Sequence, residues 1–342
     1  MLIVTNMKKF KDIVLTGDRP TGKLHLGHYI ASITKRIELQ DQYEDCFYMV
    51  ADVQGLTDNF DNPEKINENL TEVVIDNLAC GLDPEKTTMF VQSSIPEIAE
   101  LTMFFMNLVT VARLKRNPTV KSEIEQKGFK EDIPAGFLAY PVSQAADIMF
   151  AKANIIPVGE DQLPMIEQAN EIVQKFNRIY GEVFPKIKAV TSDTTRLVGI
   201  DGNAKASKSL GNAILLSDSD EEITKKVMSM YTDPDHLQVS DKGKVEGNVV
   251  FSYLDSFDNR KDEVEELKQR YREGGLGDVE IKKRLAEVLI NLIAPIREKR
   301  EELQKDRKYI LDILEKGNTV AREHAKKTLE EVRQVMKIDY FS

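Results

Sequence analysis

Two of the four histidines in this 342-residue chain stand three residues apart, in His25-Leu26-Gly27-His28. Side chains at that spacing project from one face of a helical turn, so both imidazoles can donate to the same ligand oxygens. The run follows an apolar stretch, Ile13 to Thr16, and a Pro20-Thr21-Gly22 turn. A strand, a tight turn and a helix opening near His25 are expected there. A helix N-terminus offers N–H groups and a positive dipole end to phosphate. Gly27, lacking a Cβ, lets a flat base approach the backbone. A capped helix with two incidental histidines is the plainer alternative, but the position directly behind a strand and a tight turn favours nucleotide chemistry.

A second cationic cluster lies far downstream. Lys205-Ala206-Ser207-Lys208-Ser209 follows Gly199-Ile200-Asp201-Gly202-Asn203. Two lysines three apart, separated by small residues, suit a mobile loop. Such a loop follows negative charge onto a pyrophosphate as its bond to the α-phosphate breaks, a stabilisation strongest in the transition state. Alone, the pentapeptide reads equally as a polar surface loop. Between the two clusters stand Tyr140-Pro141-Val142-Ser143-Gln144-Ala145-Ala146-Asp147 and Pro157-Val158-Gly159-Glu160-Asp161-Gln162.

The elements that must hold these residues are legible in outline. Strands are expected at Ile13–Thr16, Cys46–Ala51 and Thr88–Gln92, with a helix around Asn67–Cys80. That alternation predicts an α/β fold, a parallel sheet covered on both faces, with ligands at the carboxyl ends of the strands. Between Pro96 and Arg116 a helix apolar on most of its circumference is expected, with Pro96 in its first turn, buried either in its own chain or in a subunit interface. After about Leu216 the strand-like runs thin out. Helices are expected over Glu280–Leu292 with Asp278 as N-cap, from Pro295 to a stop at Gly317, and over Val320–Met336. This part reads as a separate helical region. Basic clusters occur there, at Lys282, Lys283 and Arg284 and again at Arg297, Lys299, Arg300, Arg307 and Lys308.

The net charge of −10 argues against broad, non-specific nucleic-acid binding, although a local basic stripe can still hold an RNA. No apolar run approaches the roughly 18 residues of a membrane span, and the opening MLIVTNMKKFKD lacks the features of a secretory signal. Cys46 and Cys80 belong to no metal-ligand spacing and read as buried free thiols of a cytoplasmic protein. Tryptophan is absent from the chain.

Taken together, HLGH and KASKS resemble the HIGH and KMSKS signatures of class I aminoacyl-tRNA synthetases. Ala206 stands where that loop usually has Met. With YPVSQAAD and PVGEDQ the chain resembles the tryptophanyl/tyrosyl branch of that family, over essentially its whole length and including GGLGD near Gly274 and PIREKR from Pro295. The resemblance implies a Rossmann-like parallel-sheet catalytic domain over 1–216, with a helical insertion and dimer region at about 95–140. An all-helical domain reading the tRNA anticodon would follow over 217–342. It implies ATP with Mg2+ as cosubstrate, no structural metal, a homodimer bridged by tRNA, and a cytoplasmic enzyme without membrane contact.

The resemblance also assigns roles. His25, His28, Lys205 and Lys208 would act on the phosphates. Asp18, Arg19, Thr21, Gly27, Gly159, Asp161, Gln162, Ser207 and Ser209 would help bind ATP. Leu15, Gln54, Tyr140, Gln144, Asp147 and Gln162 would line the amino-acid pocket, with Asp147 at its floor. Asp147 accepts equally from an indole N–H or a phenol O–H, and Gln144 is commoner in tyrosyl enzymes. The deciding position is Leu15, two residues before the glycine that ends the first strand, where tyrosyl enzymes place a tyrosine that contacts the substrate hydroxyl. Sites built around a hydroxyl discriminate by about 10⁴–10⁵, so an apolar residue there favours L-tryptophan. RNPTVK at Arg116, MSMYTDPDH at Met228 and the QAAD run point the same way. A tyrosyl enzyme, a nucleotidyltransferase of another pathway and a non-catalytic paralogue are the rivals.

Overall fold

The computed structural model describes residues 9–129, 132–191, 197–202, 206 and 210–341. Lys205, Ser207, Lys208 and Ser209 lie outside the described residues. The chain runs β1 (Ile13–Asp18), α1 (Leu26–His28), a π-helical stretch over Tyr29–Ile33, α2 (Thr34–Gln40), β2 (Asp45–Val50), α3 (Asp52–Leu56), α4 (Pro63–Cys80) and β3 (Thr87–Val91). There follow α5 (Glu97–Met106), α6 (Val111–Arg116), α7 (Pro118–Gln126), α8 (Ala135–Met149), β4 (Ile155–Pro157), α9 (Leu163–Tyr180) and β5 (Lys188–Val190). Beyond β5 the named elements are helices only: α10 (Asp220–Met228), α11 (Val249–Phe257), α12 (Lys261–Glu273), α13 (Asp278–Gln304) and α14 (Arg307–Met336).

The strands form one parallel sheet in the order β3-β2-β1-β4-β5. β1 and β2 are in register from Ile13 opposite Asp45 to Asp18 opposite Val50. β2 is buried along most of its length, as a strand covered on both faces must be. Its side chains alternate with period two: Phe47 and Met49 enter the apolar cluster with α5, α8 and α9, whereas Tyr48 and Val50 enter the cluster with α4, α11 and α13. The strand order reverses between β1 and β4. In sheets of this kind the crevice beyond the carboxyl ends at that point receives the ligand.

Both cores draw on the C-terminal helices. Leu285, Leu289, Ile293, Ile310 and Leu314 pack on one face of the sheet region, and Ala321, Ala325 and Val332 on the other. α14 therefore passes from one face to the other around the edge strand β3. Gly317 is the residue that permits this, because a Cβ there would collide with the Met89 carbonyl. Its neighbour Asn318 accepts the Val91 N–H through Oδ1 at 2.8 Å, satisfying a donor of the open strand edge.

Several sequence expectations are corrected here. Gly317 is not a helix stop but lies inside the thirty-residue α14. Pro295 does not begin a helix; α13 runs through it. Asp278 is the first residue of α13, whose N-cap is Gly277. Instead, the Asp278 carboxylate accepts from Tyr271 at 2.7 Å and Thr232 at 2.6 Å. The apolar segment after Pro96 is two helices, α5 and α6, and Pro96 is the N-cap of the first. α5 buries only one face, Ile98, Leu101, Thr102 and Phe105, and leaves Met103 and Met106 exposed. α4 begins at Pro63 behind an Asn62 cap rather than at Asn67. Cys46 is buried and Cys80 half-buried, both as free thiols. β4 and β5, three residues each, escaped the sequence reading.

Candidate active site

His25 caps α1 and is itself buried. Its Nδ1 accepts the Gly27 N–H at 3.0 Å, while the His25 N–H donates to Nδ1 of His28 at 3.3 Å. The two rings stand 4.0 Å apart, centre to centre. This reciprocal capping fixes a tautomer. With Nδ1 occupied as an acceptor, each neutral ring carries its proton on Nε2 and is a donor there. A Cβ at Gly27 would stand 2.8 Å from the His25 ring, so any side chain there would have to displace that ring.

The turn before the helix is anchored from two sides. Leu24 N–H donates to Asp76 of α4 at 2.6 Å. Leu26 N–H donates to the Ile214 carbonyl at 3.0 Å, and Leu216 N–H to the Leu24 carbonyl at 3.1 Å. The segment following the second signature is thus an extended partner to the first, with a bridge between His25 and Leu215. Ala206, the described residue of KASKS, is buried and lies 4.0 Å from where a Gly27 Cβ would stand.

Asp18, at the end of β1, has its carboxylate turned into the protein. Arg36 of α2 grips it with two N–H groups at 2.5 and 2.9 Å, and Tyr48 and Asn77 donate to it at 3.0 and 3.2 Å. Burial alone would raise its pKa, but the Arg36 guanidinium and these donors hold it well below the usual carboxylate range. Arg19 points outward to Asp58 at 2.8 Å, and Thr21 N–H closes a turn on the Arg19 carbonyl. Across the crevice, Gly159 leads into a short 3₁₀ turn over Glu160–Gln162 with Asp161 exposed and Gln162 half-buried. Thr119 of α7 donates to the Asp161 carbonyl at 2.9 Å.

α8 supplies the rest of the site. Tyr140, Gln144 and Asp147 recur at helical spacing along one face. Asp147 is 1% exposed, and its carboxyl lies between two amides: Gln92 donates to one oxygen at 2.7 Å and Gln54 to the other at 3.1 Å. The Gln54 N–H in turn donates to Gln92 Oε1 at 3.0 Å, locking the three together. Burial pushes the Asp147 pKa up to about 7, against the opposing pull of the two amides. A carboxylate has about four acceptor sites and two are used here. Leu15 is buried in the same cluster as Ala145 and Ala146 of α8, so the β1 residue on this side of the sheet is apolar. The Tyr140 hydroxyl donates to Glu123 of α7 at 2.7 Å.

Of the residues expected from sequence, the fold brings Gln54 to Asp147, sets Tyr140 and Gln144 on the helix that bears Asp147, buries Leu15 in the apolar cluster with that helix, and joins His25, Gly27 and His28 in one turn. Gln92 and Glu123 were missed. Gln92 carried a signal: it is the polar residue directly after a buried apolar strand, at its carboxyl end. Glu123 carried none, since only folding brings α7 over α8.

The family model of class I tRNA synthetases (W and Y) matches residues 7–294. The chain is 58% identical over 336 residues to the tryptophan–tRNA ligase of Clostridium longisporum, covering 97% of this chain and 98% of that one. It is 53% identical over 342 residues to that of Streptococcus mutans, covering 97% and 99%. Among solved structures, the tryptophanyl-tRNA synthetase of Campylobacter jejuni complexed with ADP and tryptophan superposes with a TM-score of 0.82 at 30% identity, covering 95% of this chain and 99% of that one. With this likeness across nearly the full length, the chain belongs to the class I tRNA synthetases, in the branch that handles tryptophan and tyrosine.

Proposed function

We infer that the chain is a tryptophan–tRNA ligase: it activates L-tryptophan with ATP to tryptophanyl-adenylate and transfers it to the 3′ end of the tryptophan tRNA. The observation that carries the choice of amino acid is the buried, apolar Leu15, in the same cluster as the helix that bears Asp147; the Gln54–Asp147–Gln92 clasp supplies an acceptor that suits either substrate. An indole N–H needs one fixed acceptor within an otherwise apolar slot. A phenol O–H needs both an acceptor and a donor, and Leu15 supplies neither. The naming of close full-length relatives as tryptophan–tRNA ligases supports the same reading.

In this reading the substrate carboxylate attacks the α-phosphate and pyrophosphate leaves, without a protein nucleophile. The chain supplies alignment and charge stabilisation. His25 and His28 donate through Nε2 to phosphate oxygens, and Gly27 passes the base. Arg19, Thr21, Gly159 and Asp161 hold the nucleotide. Asp18 serves through the backbone at the end of β1, because its carboxylate is taken by Arg36. Tyr140 and Gln162 receive the substrate ammonium, and Gln144 lines the pocket between Tyr140 and Asp147. Lys205, Ser207, Lys208 and Ser209 are assigned to the pyrophosphate. Mg2+ enters with ATP as part of the substrate. The helices over 217–342 are assigned to the tRNA anticodon. The exposed methionines of α5 suit a homodimer interface, and the setting is the cytoplasm.

ATP–pyrophosphate exchange is expected with tryptophan and not with tyrosine. Exchange with tyrosine alone would reverse the Leu15 argument, and exchange with neither would favour a non-catalytic paralogue.

A further inference from the structure

Arg300 lies on α13, 224 residues away in sequence from its partner Asp76 on α4, yet both are buried, at 3% and 0% exposure. Its guanidinium forks onto two carboxylates of α4, Nε to Asp76 and a terminal nitrogen to Glu72. Glu72 and Asp76 are one helical turn apart and so present both acceptors on one face. Gln304, one turn on from Arg300, also reaches Glu72 at 3.4 Å.

This pair is not needed to join the helices. Leu285, Leu289 and Ile293 of α13 and Val73, Val74 and Ile75 of α4 already share one apolar cluster. A buried ion pair is commonly no more stabilising than apolar residues of its size. The second oxygen of Asp76 gives it a different use. It accepts the Leu24 N–H at 2.6 Å, and Leu24 immediately precedes the His25–His28 turn. Gly22, two residues earlier, has a φ of 140°, a conformation that favours glycine, so the chain enters this turn through a residue with no side chain to anchor it.

We propose that Asp76 and Arg300 are positioning residues for the first reaction: Arg300 fixes the Asp76 carboxylate, Asp76 holds the Leu24 N–H, and this sets the height of the two histidines over the ATP phosphates. The proposal rests on the reading of His25 and His28 as phosphate donors. It extends that reading to the C-terminal helices, which contribute a buried arginine to the geometry of the N-terminal signature.

The test compares two double variants of the full chain. Asp76→Asn with Arg300→Met removes both charges but keeps an amide oxygen for Leu24. Asp76→Leu with Arg300→Met removes the charges and the acceptor. Both are expected to melt within a few degrees of the parent, since neither leaves a buried charge at these two positions. In ATP–pyrophosphate exchange the Asn variant, which keeps an oxygen for Leu24 but no longer has Arg300 to fix it, is expected to fall between the parent and the Leu variant. The Leu variant is expected to lose about tenfold or more in kcat, with its KM for tryptophan unchanged, because a misplaced donor costs rate rather than amino-acid affinity. Equal activity of the two, or equal losses in both, overturns the proposal. Should either fail to fold, hydrogen exchange in the parent decides. Strong protection of the Leu24 amide is expected, and exchange at the rate of an open turn overturns the proposal. His28→Ala in the same assay tests the underlying reading separately.

Discussion

Asp18, its side chain 10% exposed, and the buried Asp147 are both carboxyls turned inward beside the same sheet, and the protein treats them in opposite ways. Asp18 is met by an arginine, a tyrosine and an asparagine, and its pKa is held far down. Asp147 is met by two neutral amides and no cation, and its pKa is pushed up to about 7. A carboxylate matched by a guanidinium has no reason to seek another partner. One desolvated between amides keeps acceptor capacity and gains by meeting a donor. Burial and residue type do not distinguish the ion-paired aspartate from the one proposed to recognise the substrate; the charge of the neighbours does.

The largest effect expected from breaking this contrast is on the Asp18 side. Arg36→Met leaves Asp18 buried without its cation and is expected to destabilise the fold by about 3–5 kcal/mol, read by chemical denaturation. The tryptophan KM of the folded protein should be little changed. The sign with pH follows from the depressed pKa. The parent's extra stability is present above the ordinary aspartate range and is lost only as pH falls through the lower folded value. A variant as stable as the parent at pH 7 would mean that the pair contributes nothing net.

Next in size is Asp147→Asn. Losing a charged acceptor for the indole N–H is worth about 1.5–3 kcal/mol, or roughly 10–150-fold in the tryptophan KM, with the KM for ATP unchanged. Its effect on stability runs the other way. Ionising the buried Asp147 weakens the ligand-free fold, a penalty that grows as pH rises from the unfolded value near 4 through about 7. The variant should therefore gain most on the parent at pH 8, and that gain should fade towards pH 4. A gain independent of pH would contradict the assignment.

The pH profile of recognition is a third test. As the ligand-free site protonates below about pH 7, the parent's tryptophan KM should rise by up to tenfold per unit, while Asp147→Asn stays flat. The smallest effect is expected from Gln92→Leu. It removes one amide and should raise KM about fivefold, in line with a hydrogen bond of about 1 kcal/mol. It should also shift the parent's pH step upward, since Gln92 lowers the Asp147 pKa.

These residues were unevenly legible. HLGH could be named because chemistry and spacing survive in a linear chain, Asp147, Gln54 and Leu15 only through the family resemblance, and β1, β2 and β3 because a buried strand reads as a continuous apolar run. β4 and β5 were missed because three residues carry too little pattern. Gly317 and Pro295 were misread for a common reason. Local propensity puts a proline at the start of a helix and a glycine at its end, whereas tertiary packing requires a residue without a side chain against Met89 and tolerates the proline within α13. Arg300 stood out only as a member of a basic cluster, and Arg36, Glu72 and Asp76 did not stand out at all. Nothing in sequence says which of many charges will be folded inward.

The passage of α14 around β3 has a consequence for the order in which the chain is made. Val91 and its cap Asn318 are 227 residues apart. During synthesis every strand of the sheet leaves the ribosome long before the helix that closes its edge. Until then β3 presents unpaired backbone groups on an apolar strand, a template for pairing with another nascent chain. A chain interrupted between α13 and α14 would retain the crevice, the histidine turn and the amide clasp. It would also retain an open strand edge, and its characteristic failure would be aggregation rather than loss of chemistry.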